Sequence, residues 1–95
     1  IEQNLRAILE RIEAAGAAPL LLGMRVPESY GAEHARDFAA LYPRLAQELD
    51  VAFVPFFMEG VAGVPELNLP DGIHPTREGH ERIAQALIEP LSRLL

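Results

Sequence analysis

Leu5, Ile8, Leu9 and Ile12 recur at helical spacing with Glu2, Arg6, Glu10 and Glu13 on the other face, which predicts an amphipathic helix at the start of the chain. Gly16 stands where a left-handed C-terminal cap belongs. The pattern then changes: Pro19-Leu20-Leu21-Leu22-Gly23-Met24-Arg25-Val26 opens with a continuous apolar run without alternation. A strand covered on both faces reads this way, so the run predicts a parallel sheet. Pro27 to Gly31 breaks it as a loop. A second amphipathic helix follows through Ala35, Phe38, Ala39, Leu41, Tyr42, Leu45 and Leu49, and Pro43 is expected to kink or restart it.

Val51-Ala52-Phe53-Val54-Pro55-Phe56-Phe57 reads as a second buried strand bounded by Pro55. Met58 to Pro70, rich in Gly, Pro and single apolar residues, reads as an irregular loop with room for one helical turn. Thr76 is a good N-cap for a last helix, whose apolar positions Ile83, Ala84, Leu87, Ile88, Leu91 and Leu95 keep the helical period; Pro90 is expected to bend or end it. The order helix, strand, helix, strand, helix allows two parallel strands joined by one right-handed crossover. A two-stranded parallel sheet does not stand alone. With no repeat, low-complexity tract or linker in view, the expected fold class is α/β, the C-terminal part of a doubly wound domain with parallel strands.

Composition narrows the function classes. The chain has 95 residues, 49% of them hydrophobic, and no uninterrupted apolar run long enough to span a bilayer. It contains no cysteine, which excludes a disulfide scaffold, a cysteine zinc site and thiol catalysis. The net charge is −6, and the eight basic residues, all Arg, are spread rather than clustered. A phosphate backbone needs a concentrated basic face, so no nucleic-acid partner is expected. No signal peptide is visible, and because the chain opens on Ile1 rather than Met, the true N-terminus is expected upstream.

The chemistry concentrates in Asp71-Gly72-Ile73-His74-Pro75. A carboxylate three residues before a histidine supplies two of the three members of a hydrolytic triad: it holds the imidazole in one tautomer and makes it a general base. No nucleophile accompanies the pair, since Ser29 (Pro-Glu-Ser-Tyr-Gly) and Ser92 (Pro-Leu-Ser-Arg-Leu) look nothing like a strained Gly-flanked elbow. Taken alone, the pair fits a structural loop better than catalysis, with Asp71 capping backbone N–H groups and His74 at the surface. A metal site from Asp71, His74 and His80 is disfavoured because His80 lacks the i, i+4 partner of a helical metal face. His34 and His80 are expected on solvated helix faces. Arg25 reads equally as a pocket neighbour or as a structural ion pair or cap, and Phe53, Phe56 and Phe57 are core by default.

Taken together, these segments resemble the SGNH, or GDSL-type, hydrolases, and within them the bacterial lysophospholipase-like thioesterase and arylesterase group. The family's last block is an Asp-x-x-His before the final helix, matched by Asp71-Gly72-Ile73-His74-Pro75-Thr76; Met24 to Gly31 and Val54 to Met58 also look like this group. The resemblance covers essentially the whole chain and implies the C-terminal half of a single flavodoxin-like, three-layer α/β/α domain over residues 1–95. The family's nucleophile block, glycine block and Gly-x-Asn-Asp block are then expected N-terminal to this part, and Asn4, which lacks the Gly-x before it and the Asp after it, is not that asparagine.

The implied activity is acyl transfer to water from a small-molecule ester or thioester. By the same resemblance, Asp71 and His74 are the implied catalytic residues, and the serine and oxyanion donors are expected on the missing half, its implied partner. Val26, Pro27, Tyr30, Phe57 and Ile73 are the implied substrate-binding residues. No metal, cofactor or stable membrane insertion is implied, and the implied location is periplasmic or secreted, with the cytoplasm left open. The competing expectation is a non-catalytic α/β binding domain or fragment that kept the loop by descent.

Overall fold

The computed structural model describes all residues, 1–95. The chain divides into two compact units, Ile1–Pro55 and Phe56–Leu95.

The first unit contains α1 (Glu2–Ala14), β1 (Leu20–Leu22), α2 (Ala32–Leu49) and β2 (Ala52–Val54). Leu20, Leu21 and Leu22 pair in parallel with Ala52, Phe53 and Val54, as the unalternating apolar runs require. The strands are shorter than expected. β1 stops at Leu22, and β2 occupies only the middle of the Val51–Phe57 run. The end of α1 follows the sequence reading: Ala17 N–H donates to Ile12 O at 3.1 Å and Gly16 N–H to Glu13 O at 3.0 Å, with Gly16 at φ 84°. This is a Schellman cap, whose left-handed residue glycine adopts without a Cβ penalty.

Leu9 of α1, Leu21 of β1 and Leu41, Tyr42, Leu45 and Ala46 of α2 form the core, and Leu5, Met24, Phe38, Leu49, Val51 and Phe53 pack against it. Pro43 neither ends nor restarts α2, which runs unbroken from Ala32 to Leu49. A helical proline forfeits one backbone bond, but buried Leu41, Tyr42, Leu45 and Ala46 on either side of Pro43 hold both halves of the helix to the core. Across the α1–α2 seam Arg6 binds Glu48 at 2.6 Å and Arg44 binds Glu2. Hydrogen bonding to Arg6 lowers the Glu48 pKa. These pairs are exposed and screened, so they fix helix register more than they add stability. Between β1 and α2 the expected loop contains a 3-10 turn, Glu28–Tyr30.

The second unit consists of turns from Phe56 to Val64, a 3-10 turn at Pro65–Leu67, a loop, and α3 (Arg77–Ser92). Its core is small: Val61, Leu67 and Ile83, with Phe57, Met58, Val64 and Leu87 packed against it. Thr76 caps α3 as its sequence position predicts, the side-chain oxygen accepting from Gly79 N–H at 3.1 Å. Pro90 does not end α3, which continues to Ser92. The expected apolar face of α3 is buried only at its start. Ile83 is buried and Leu87 packs against the core, whereas Ile88, Leu91 and Leu95 are exposed, because the small core extends no further along the helix.

The first turn of α3 is packed so closely that only glycine fits. A Cβ on Gly79 meets the Leu67 carbonyl oxygen well inside contact distance, with Pro75 Cβ at 2.9 Å and Val61 Cγ1 at 3.3 Å. Alanine improves helix propensity by about 1 kcal/mol, but the oxygen it strikes is backbone and cannot swing aside. Gly79→Ala is therefore expected to destabilise the protein by about 1–3 kcal/mol net, read as a lower denaturation midpoint in urea with an unchanged slope.

Candidate active site

The loop from Leu67 to Thr76 is a short antiparallel excursion that returns the chain to the start of α3. Thr76 N–H donates to Leu67 O at 2.9 Å and Leu69 N–H to His74 O at 2.8 Å, bracketing a bridge between Asn68 and Pro75. In this arrangement residue 75 needs no N–H, so proline is tolerated there. At the tip, Gly72 N–H donates to Leu69 O at 2.9 Å, and Gly72 takes φ 70°, a conformation that favours glycine.

Asp71 uses its two carboxylate oxygens differently. Oδ1 accepts from the Ile73 N–H at 2.9 Å and the His74 N–H at 3.0 Å, closing the turn on itself. Oδ2 lies 2.7 Å from His74 Nδ1. One oxygen thus closes the turn and the other faces the imidazole. Hydrogen bonding from the His74 ring, then from the two backbone N–H groups, pulls the Asp71 pKa from 3.8 to about 2. The carboxylate therefore stays charged at any pH above that range. Its contribution to loop stability is complete above 3.8 and is lost as pH falls toward 2.

A carboxylate only accepts, so the proton between the groups belongs to Nδ1, and in the neutral ring Nε2 carries a lone pair. The His74 side chain is 71% exposed, and its only side-chain hydrogen bond is the one to Asp71. An imidazole oriented on one nitrogen and open on the other can act as a general base toward a group presented to the open nitrogen.

Ser92 Oγ donates to Ile88 O at 2.7 Å in the last turn of α3, and Ser29 is exposed in the 3-10 turn of the first unit. No three His, Cys, Asp or Glu side chains gather closely enough to hold a metal ion. His34 and His80 are exposed on α2 and α3, as their sequence positions predict. Of the sequence-derived pocket residues, Ile73 sits 69% exposed on the same loop as Asp71 and His74. Phe57 packs against the Val61–Leu67–Ile83 core, its ring 6.5 Å from that of Phe56. On the first unit, Val26 is half-buried in an open concavity of about 280 Å³ with Arg25 and Ala39, while Pro27 and Tyr30 are exposed.

Sequence reading missed Asn68, whose side chain ties the loop down, and an open concavity of about 430 Å³ flanked by Val64, Pro65, Asn68, Leu69 and Gly72. A polar residue between Leu67 and Leu69 was the available signal for the first.

The sequence model of the GDSL-like Lipase/Acylhydrolase family matches residues 1–82. The chain belongs to this family. Among GDSL-like relatives, the Escherichia coli (strain K12) protein named Thioesterase 1/protease 1/lysophospholipase L1 is 45% identical over 94 residues, 99% of this chain and 45% of that protein. The crystal structure of TesA superposes with a TM-score of 0.91 at 37% identity, covering 99% of this chain and 52% of the other. That of AlinE4, titled a SGNH-hydrolase family esterase, gives 0.70 at 40% identity, covering 99% and 50%. The chain spans about half the length of the GDSL-like relatives it matches. Its α/β architecture with parallel strands is that of the SGNH-hydrolase esterases.

Proposed function

We propose that the chain supplies the Asp and His of a serine ester or thioester hydrolase, as the C-terminal half of one SGNH domain whose N-terminal half carries the nucleophilic serine and the oxyanion donors. The observation that carries this reading is the 2.7 Å contact between Asp71 Oδ2 and His74 Nδ1, which leaves Nε2 unpaired on an exposed ring. Family membership and the esterase and thioesterase names of its relatives support it.

In this mechanism His74 Nε2 takes the serine hydroxyl proton as the oxygen attacks the acyl carbonyl, then returns it to the departing alcohol or thiol. Asp71 stays anionic and stabilises the transient imidazolium. Water repeats the sequence against the acyl-enzyme with the same base. The substrate is a small-molecule acyl ester or thioester, and Val26, Pro27, Tyr30, Phe57 and Ile73 are the residues proposed to contact it. By resemblance to the family, the proposed location is periplasmic or secreted; no helix is long and apolar enough to cross a membrane.

A pH–rate profile on a chromogenic short-chain ester tests the assignment. Only neutral imidazole acts as base, so kcat/KM is expected to fall on acidification, approaching about tenfold per pH unit as the ring takes up a proton. Asp71, held to about 2, contributes no second acid limb there. A profile flat from pH 5 to 7 removes His74 as base, and a full-length protein that binds esters without turnover returns the chain to a non-catalytic binding domain.

A further inference from the structure

The Asp71–His74 pair sits on a loop that has almost nothing apolar to hold it. No side chain from Leu69 to His74 is buried; Leu69 is 46% and Ile73 69% exposed. The last well-anchored apolar side chain before the loop is Leu67, 4% exposed. Between Leu67 and the exposed tip stands Asn68, half-buried, whose carboxamide Nδ2 donates to Val61 O at 2.8 Å and to Val64 O at 2.9 Å. Both amide hydrogens are used, on two different carbonyls, so the carboxamide can face only one way.

We propose that Asn68 is a positioning residue for the Asp71–His74 pair, clamping the foot of their loop to the 58–64 turn through the Val61 and Val64 carbonyls. The inference rests on the reading of His74 as the base. The turn it grips is a firm support: Val61 is 1% exposed, and its N–H donates to Met58 O at 3.0 Å. Satisfying stray carbonyls is not why the side chain is there, because each already receives a backbone N–H, from Val64 at 3.1 Å and from Leu67 at 3.0 Å. What the carboxamide adds is a cross-link between two segments. A shift of residue 68 passes directly to the histidine, since Asn68 bridges Pro75 and the neighbouring Leu69 N–H holds His74 O at 2.8 Å. Asp71 moves with it through its bonds to the Ile73 and His74 N–H groups. A misplacement on the order of 1 Å in a catalytic base costs about a hundredfold in rate.

The test uses full-length protein carrying Asn68→Asp or Asn68→Ala. Asn68→Asp keeps the shape but sets a carboxylate against two carbonyls; Asn68→Ala deletes the clamp. For both, kcat on a chromogenic ester is expected to fall about tenfold to a hundredfold with KM within about threefold of wild type, because ground-state binding does not need the base. In parallel, the downfield imidazole Nδ1–H proton signal of the Asp71–His74 hydrogen bond is expected to shift or broaden, and the cooperative melt to persist. Wild-type kcat with an unmoved proton signal in both variants overturns the proposal. Loss of the cooperative melt in both variants overturns it in favour of a purely structural role. Full activity in His74→Ala, run alongside, overturns the assignment of the base instead, which separates the two failures.

Discussion

His74→Ala in the full-length protein is expected to cut ester hydrolysis by about 10⁴-fold or more while leaving the melting temperature nearly unchanged. The side chain is 71% exposed and gives the loop no apolar packing. The bonds that fold the loop at this position come from the His74 N–H and carbonyl, which alanine retains. Asp71→Asn is expected to be nearly as severe for a different reason. Its oxygen, placed at Oδ1, still accepts from the Ile73 and His74 N–H groups, so the turn survives. The amide nitrogen then faces Nδ1, and because it donates, the ring must place its proton on Nε2, where no base remains. Steady-state rates on a chromogenic ester beside thermal melts decide both; a His74→Ala variant near wild-type rate ends the triad reading.

Residues 1–95 expressed alone are expected to show no ester hydrolysis and no cooperative melt, with both returning in the full-length protein. The sheet is two strands of three residues, below what holds together unaided in water. Ile8 at 53%, Ile88 at 57%, Leu91 at 49% and Leu95 at 104% exposure are apolar groups the chain does not cover, and surfaces of this kind drive association. Size-exclusion chromatography, thermal melting and an esterase assay on the fragment, the full-length protein and co-expressed halves test this. A monomeric, cooperatively folded and active fragment overturns the half-domain proposal and makes Ser29 the nucleophile to examine.

Most of the architecture was legible because local signals agreed with one another. The helical spacing of Leu5 and Leu9, the Gly16 cap, the unalternating Leu20–Leu22 run and the Thr76 cap each named an element that the structure contains. The misreadings share a cause, which is that periodicity reports a face and not what covers it. Ile88, Leu91 and Leu95 keep helical period yet lie exposed, and the strand runs extend beyond the residues that pair. Neither Pro43 nor Pro90 interrupts its helix, so the restart at the first and the end at the second do not occur. The end of α2 was also missed as a cap: Asp50 closes it at φ 52°, a left-handed conformation that aspartate tolerates better than most residues. At the site, the spacing of Asp71 and His74 predicted their pairing. Asn68 offered a signal as the polar residue between two leucines, but its partners were not legible, since they are carbonyls that carry no side-chain signature.

Because one carboxylate closes the turn with one oxygen and faces the ring with the other, opening the turn also removes the acceptor of the His74 ring. The Ile73 and His74 amide protons, which point at Asp71 Oδ1, are therefore native reporters of the turn. Their exchange with solvent counts the fraction of time it is open, in the absence of substrate or inhibitor.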